Sequence, residues 1–115
     1  MREVNTGGST RQFSDDYFDL YVQQDGRIVT WFQLCYDKYG DQKALTWSKA
    51  GQLSHARVDE DNEKGQYPMS AILVADGSLD CQGLLSRFKT ASRGIDRRVI
   101  SAVFRVLRKY PKRIR

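Results

Sequence analysis

The chain is short of the residues from which catalytic and metal centres are built. It has one histidine, His55, and two cysteines, Cys35 and Cys81, in 115 residues. Neither cysteine has a second Cys or a His at zinc-ligand spacing, so no metal site is expected. Cys35 lies in a run that reads as a strand and Cys81 in one that reads as a helix. Each serves most simply as a small buried hydrophobe rather than as half of a disulfide. No apolar run approaches the roughly 20 residues of a membrane span, so no membrane partner is expected. Residues 1–12 have no apolar stretch of the kind that drives secretion, and a cytoplasmic protein is the expectation. Gly77 and Gly83 fit neither a P-loop nor a G-x-G-x-x-G fingerprint, so no cofactor is implied. The acids Asp59, Glu60, Asp61 and Glu63 lack calcium-loop spacing and read as a solvated loop.

Acids are also scarce in the last third. Residues 82–115 hold eleven Lys or Arg against one acid, Asp96. The whole chain carries a net charge of +5, so the earlier part is acidic on balance. An asymmetry of this kind suggests a cationic surface that meets something anionic.

Residues 1–12 are polar and rich in Gly, Ser and Thr, and read as a flexible leader. Asp25-Gly26 then separates two β-prone runs, 16–24 and 27–37, which is a hairpin signal. A two-residue Asp25-Gly26 loop predicts Gln24 opposite Arg27, Val22 opposite Val29, Leu20 opposite Trp31, and Phe18 opposite Gln33. One face then carries Phe18, Leu20, Val22, Val29, Trp31 and Cys35. The other carries Tyr17, Tyr21, Ile28, Phe32, Leu34 and Tyr36. Both faces are apolar, and such a ribbon wants a cover on each side. Residues 43–48 and 52–59 read as a second hairpin around Ala50-Gly51, 60–68 as a loop, and 70–75 as a fifth strand.

Beyond Asp76-Gly77 the hydrophobic period changes from 2 to 3.6. Ser78 is a candidate helix cap, and Cys81, Leu84, Leu85 and Phe88 form one stripe ending near Gly94. Asp96 caps a second helix, with Ile95 and Ile100 as its hydrophobic staple. Ile100, Val103, Phe104, Leu107 and Tyr110 form its inner face, and Pro111 is expected to stop it. The fold class is therefore α+β: an antiparallel meander of about five strands followed by two C-terminal helices packed on one face. The domain spans 13–111, and 112–115 form a basic tail.

Three surfaces are candidates for function. The uncovered sheet face, with Tyr17, Tyr21, Phe32, Gln33, Leu34 and Tyr36, would seat a ligand, a protein partner or a second copy in a homodimer. The plainer reading makes these aromatics the filling of a small β core. The basic helices, with Arg97, Arg98, Arg105, Arg108 and Lys109, and Lys112 and Arg113 beyond them, would neutralise the phosphates of a nucleic acid. The plainer reading there is a solvated face whose cations suit a helix C-terminus. His55, Arg57 and Asp59 alternate along one strand and share a face, as an acid–base or anion site would require. The plainer reading is a polar strand edge. Ser54 points away from His55, so the two do not form a nucleophile–base pair.

The phrases at 32–38 (FQLCYDK), 44–47 (ALTW), 54–59 (SHARVD) and 72–77 (ILVADG) resemble those of small uncharacterised bacterial proteins of about this length. The resemblance covers about residues 13–90. It implies a bacterial cytoplasmic setting and carries no activity or functional residue with it. With no catalytic constellation, the sequence predicts a non-enzymatic binding module, with nucleic-acid association through the C-terminal helices as the alternative.

Overall fold

The computed structural model describes residues 1–40, 42–57 and 81–113. Six strands form one antiparallel sheet in simple chain order: β1 (Arg2–Val4), β2 (Arg11–Ser14), β3 (Phe18–Asp25), β4 (Ile28–Tyr36), β5 (Lys43–Ser48) and β6 (Leu53–Arg57). Two helices follow, α1 (Cys81–Ala91) and α2 (Arg97–Arg113). This is the expected α+β meander, with a difference at its start. Residues 1–12, expected as a leader, supply β1 and the beginning of β2. The strand expected at 70–75, the loop before it and the cap at Ser78 lie outside the described residues.

The register of the central hairpin differs from the expected one, and the difference reorganises the sheet. The central residues of the turn are Gly26 and Arg27, with Asp25 paired to Ile28. Gly26 has φ 61°, whereas Arg27 has negative φ, which fits a type II′ turn rather than type I′. Further along, Thr30 is left unpaired as a bulge, so that Gln24 faces Val29 but Gln23 faces Trp31. Together the turn and the bulge displace the rest of β4 by an odd number of residues. Every β4 side chain beyond Thr30 therefore changes face. Val22 now faces Phe32, Leu20 faces Leu34, and Phe18 faces Tyr36.

That displacement gathers the large apolar side chains on one flank. Phe13, Phe18, Leu20, Val22, Phe32, Leu34 and Leu45 are all fully buried there. They pack against Leu84 and Phe88 of α1 and Val99, Val103, Val106 and Leu107 of α2. Phe88 sits between Phe18 and Phe104, edge-on to both at 5.8 and 5.7 Å. Each such side chain contributes roughly 1.5–3 kcal/mol through its removal from water. The other flank is mixed: Gln33, Cys35, Ala44, Thr46 and Ser54 are buried on it, beside the half-buried Tyr21 and Trp31. Gln33 Nε2 donates to Thr46 Oγ1 at 3.1 Å, and Cys35 Sγ donates to Gln33 Oε1 at 3.9 Å. The ribbon is thus not apolar on both sides, and the expectation of a second greasy face is corrected.

The helices follow their sequence signals closely. Asp96 Oδ1 accepts from Arg98 N at 2.9 Å, which is the expected N-cap. The helical backbone carries two residues past Pro111, correcting the expected stop. Proline deletes its own N–H donor but leaves its neighbours able to close a final turn.

Arg11 fastens the edge of the sheet to the start of α2. Its Nε and Nη2 donate to both Glu3 oxygens at 2.8 and 2.9 Å, and its Nη1 donates to Gln24 Oε1 at 2.8 Å and Asp96 Oδ2 at 3.0 Å. The Arg11 guanidinium holds the Glu3 carboxyl below its ordinary value. It does the same to Asp96, aided by the Arg98 N–H. At the other end of β3, Lys38 Nζ reaches Asp15 O at 2.9 Å and Asp19 Oδ1 at 3.3 Å. Finally, Lys49 N donates to Thr30 O at 2.8 Å, so the carbonyl of the bulge residue ties the β3–β4 tip to the β5–β6 turn.

Two outcomes follow from this arrangement. Replacing Gly26 by Ala puts a Cβ at positive φ and should lower stability by roughly 1–2 kcal/mol in urea unfolding, although nothing crowds the site. Glu3 and Asp96 have lowered pKa values in the folded state. The stability they add is therefore present at neutral pH and lost as pH falls through those folded values. Arg11→Met should lower stability at pH 7 and flatten its decline below about pH 4, read from urea midpoints across the acid range.

Candidate functional site

A cleft of about 620 Å³ lies between α2 and the tips of the two hairpins. One wall comes from Arg27, Ile28 and Val29 at the start of β4, together with Trp47, Lys49 and Leu53 around the β5–β6 turn. The other wall is α2, through Arg97, Arg98, Ser101, Ala102, Arg105, Val106 and Lys109. The meander produces this geometry directly. Both hairpins turn at the same end of the sheet, and the helix lies across the face beneath them.

On α2, Arg97, Ser101, Arg105 and Lys109 recur every four residues and form one ridge beside the buried Val99–Val103–Val106 stripe. The ridge is about 18 Å long at 1.5 Å per residue. Six basic side chains line the cleft, and among the described residues no acidic one does. None of the six has an ion pair among the described residues. The one acid of the C-terminal region, Asp96, is already engaged by Arg11 and by the Arg98 N–H. Its charge also acts on Arg98, at the N-terminal end of the ridge.

Electrostatics within α2 do not account for this placement. Arg97 and Arg98 stand in the first turn, which holds no acid, where the helix dipole disfavours cations by roughly 0.3–1 kcal/mol each. Arg105 and Lys109 are like charges at i, i+4, a mildly repulsive spacing. Only Lys109, nearest the C-terminus, suits the dipole. The cations are spaced along an outward ridge rather than distributed to stabilise the helix.

Beneath the charges the cleft is apolar. Trp47 is half-buried, with one face stacked on the fully buried Phe32 at a centroid distance of 5.5 Å and an interplanar angle of 27°. Ile28 is 52 % exposed, unusual for a large aliphatic side chain in this fold.

The surface expected from Tyr17, Tyr21, Phe32, Gln33, Leu34 and Tyr36 is divided by the register. Phe32 and Leu34 are in the core under the helices, and Gln33 is buried on the opposite flank beside Thr46. Tyr21 pairs with Gln33 and shares its flank. Tyr17 is half-buried, with the Arg87 guanidinium 4.1 Å from its ring centre. Tyr36 stacks on His55 at 5.9 Å, and a short hydrogen bond joins Tyr36 Oη to His55 Nε2. His55 is 2 % exposed, so its ring sits among core groups. Arg57 is exposed at the end of β6, and Asp59 lies outside the described residues. His55 and Arg57 project to the same flank of β6.

Of the basic residues, Arg97, Arg98, Arg105 and Lys109 meet in the cleft. Arg108 points elsewhere, its guanidinium 5.5 Å from the Phe104 ring centre. Lys112 and Arg113 belong to the last turn of α2. Arg27 and Lys49 were not picked out as ligands by sequence reasoning. The available signal was a cation at or beside the turn of each hairpin. Among the described residues there is no cluster of three or more His, Cys, Asp or Glu that would hold a metal ion. Nor is any helix there long and apolar enough to cross a membrane. Comparison with protein-family models, curated proteins and solved structures finds no match.

Proposed function

We propose that this protein is a non-enzymatic binding module for nucleic acid, holding phosphates on the cationic ridge of α2. The observation that carries the reading is the cleft itself: six cations converge there, and among the described residues no acid joins them. Guanidinium and ammonium groups bind phosphate oxygens and release condensed counterions, so a polyanion gains most from such a surface. The sequence extends the same sign beyond the cleft through Lys112, Arg113 and Arg115. This favours a long anion over a small one. The partner surface expected on the second flank of the sheet has less support, since Tyr21 and Trp31 are interrupted there by the polar groups of Gln33, Thr46 and Ser54.

Binding of a short fluorescent oligonucleotide, followed by anisotropy, should weaken steeply between about 50 and 200 mM salt. The double variant Arg105→Ala/Lys109→Ala should weaken it further and lower the log–log salt slope by about 0.7–0.9 for each phosphate that is no longer neutralised. Binding indifferent to salt, or none at low salt, would overturn the proposal.

A further inference from the structure

Granting the nucleic-acid reading, we infer that the ligand is a single strand, one of whose bases lies against Trp47 and Ile28 while neighbouring phosphates sit on the α2 cations. A purely electrostatic phosphate site has no use for an apolar floor. This cleft has one, built from Ile28, Val29, Trp47, Leu53 and Val106. A double helix turns its phosphates outward and keeps the faces of its bases stacked inside, so it offers that floor nothing. An unpaired base offers a π-face, and stacking on an aromatic side chain accepts any of the bases.

Trp47 is suited to the task. Phe32 backs its ring, and Phe32 is fully buried, so the platform is already fixed before a ligand arrives. Little side-chain freedom remains to be lost on binding. The exposed Ile28 extends the platform at the mouth of the cleft. The cleft's volume of about 620 Å³ is that of a site for a small molecule or one segment of a polymer, not for a duplex. The ridge is longer than a single nucleotide needs, at about 18 Å from Arg97 to Lys109. A strand that leaves a base in the pocket and runs its backbone along the helix uses both features together. An acidic peptide would satisfy the cations but has no flat ring for the Trp47 face.

Trp31→Phe leaves Trp47 as the sole tryptophan; it keeps an aromatic ring of smaller size and removes a buried indole N–H that has no hydrogen-bond partner among the described residues, and its folding is checked by its unfolding midpoint. This protein is titrated with a short thymidine single strand, a duplex of equal length, inorganic polyphosphate and polyglutamate. The single strand should quench Trp47 fluorescence and bind at least about tenfold more tightly than the other three. Ile28→Ser, a change at an exposed position, should cost several-fold in single-strand affinity and nothing with polyphosphate. Trp47→Phe should retain most single-strand binding and Trp47→Leu should lose it, each checked for folding by its unfolding midpoint. Equal affinity for single strand, duplex and polyphosphate without quenching would overturn the base-stacking inference while leaving phosphate binding in place. Preference for polyglutamate, or no binding of any probe at low salt, would overturn both.

Discussion

The pairing of β3 with β4 is the constraint on which the rest of the molecule depends. A two-residue turn begun by Gly26, followed by the bulge at Thr30, decides which side of the sheet the long remainder of β4 occupies. With Phe32, Leu34 and Tyr36 delivered to the flank that holds Phe18, Leu20 and Val22, one face becomes a core deep enough to seat two helices. A slip of one residue would send those three side chains to the far side and bring Trp31, Gln33 and Cys35 beneath the helices. Helix docking, the position of α2 and the cleft all presuppose that choice.

Much of the architecture was legible in the sequence. β-prone runs bounded by turn residues marked β3, β4, β5 and β6, and the switch to a 3.6 period marked the helices, because that period reflects a single buried stripe. Asp96 could be read as a cap since its neighbours supplied the staple and the apolar stripe. The register was not legible, for a definite reason. An Asp-Gly pair fits the centre of one mirror-image turn, while the same glycine fits the first central position of the other. Nothing in the hydrophobic pattern chose between them, as β4 is apolar at almost every position. The error then propagated. A wrong face assignment made the sheet look greasy on both flanks, and a partner surface was assembled from residues that the fold separates. β1 was missed because it is short, polar and fully on the edge, with Glu3 tied to Arg11 in place of hydrophobic burial.

The candidate site shows the opposite balance. Four of its cations were visible as a basic helix, since i+4 spacing along an amphipathic pattern is local information. Arg27 and Lys49 come from turns that meet α2 only in three dimensions, and Trp47 reads as core until its outer surface is seen to open on the cleft. Asp96, the acid beside these cations, is bonded by Arg11 from β2. That contact spans 85 residues of sequence, and no linear pattern announces it.

The link from Lys49 N to Thr30 O has a mechanical meaning. It couples the two loops that form the upper jaw of the cleft, and the neighbouring Trp31–Ser48 pairing stiffens the same junction. The opposite jaw is fastened too, since Arg11 on β2 bonds Asp96 just ahead of the first turn of α2, so each side of the cleft is held by a contact between segments far apart in the chain.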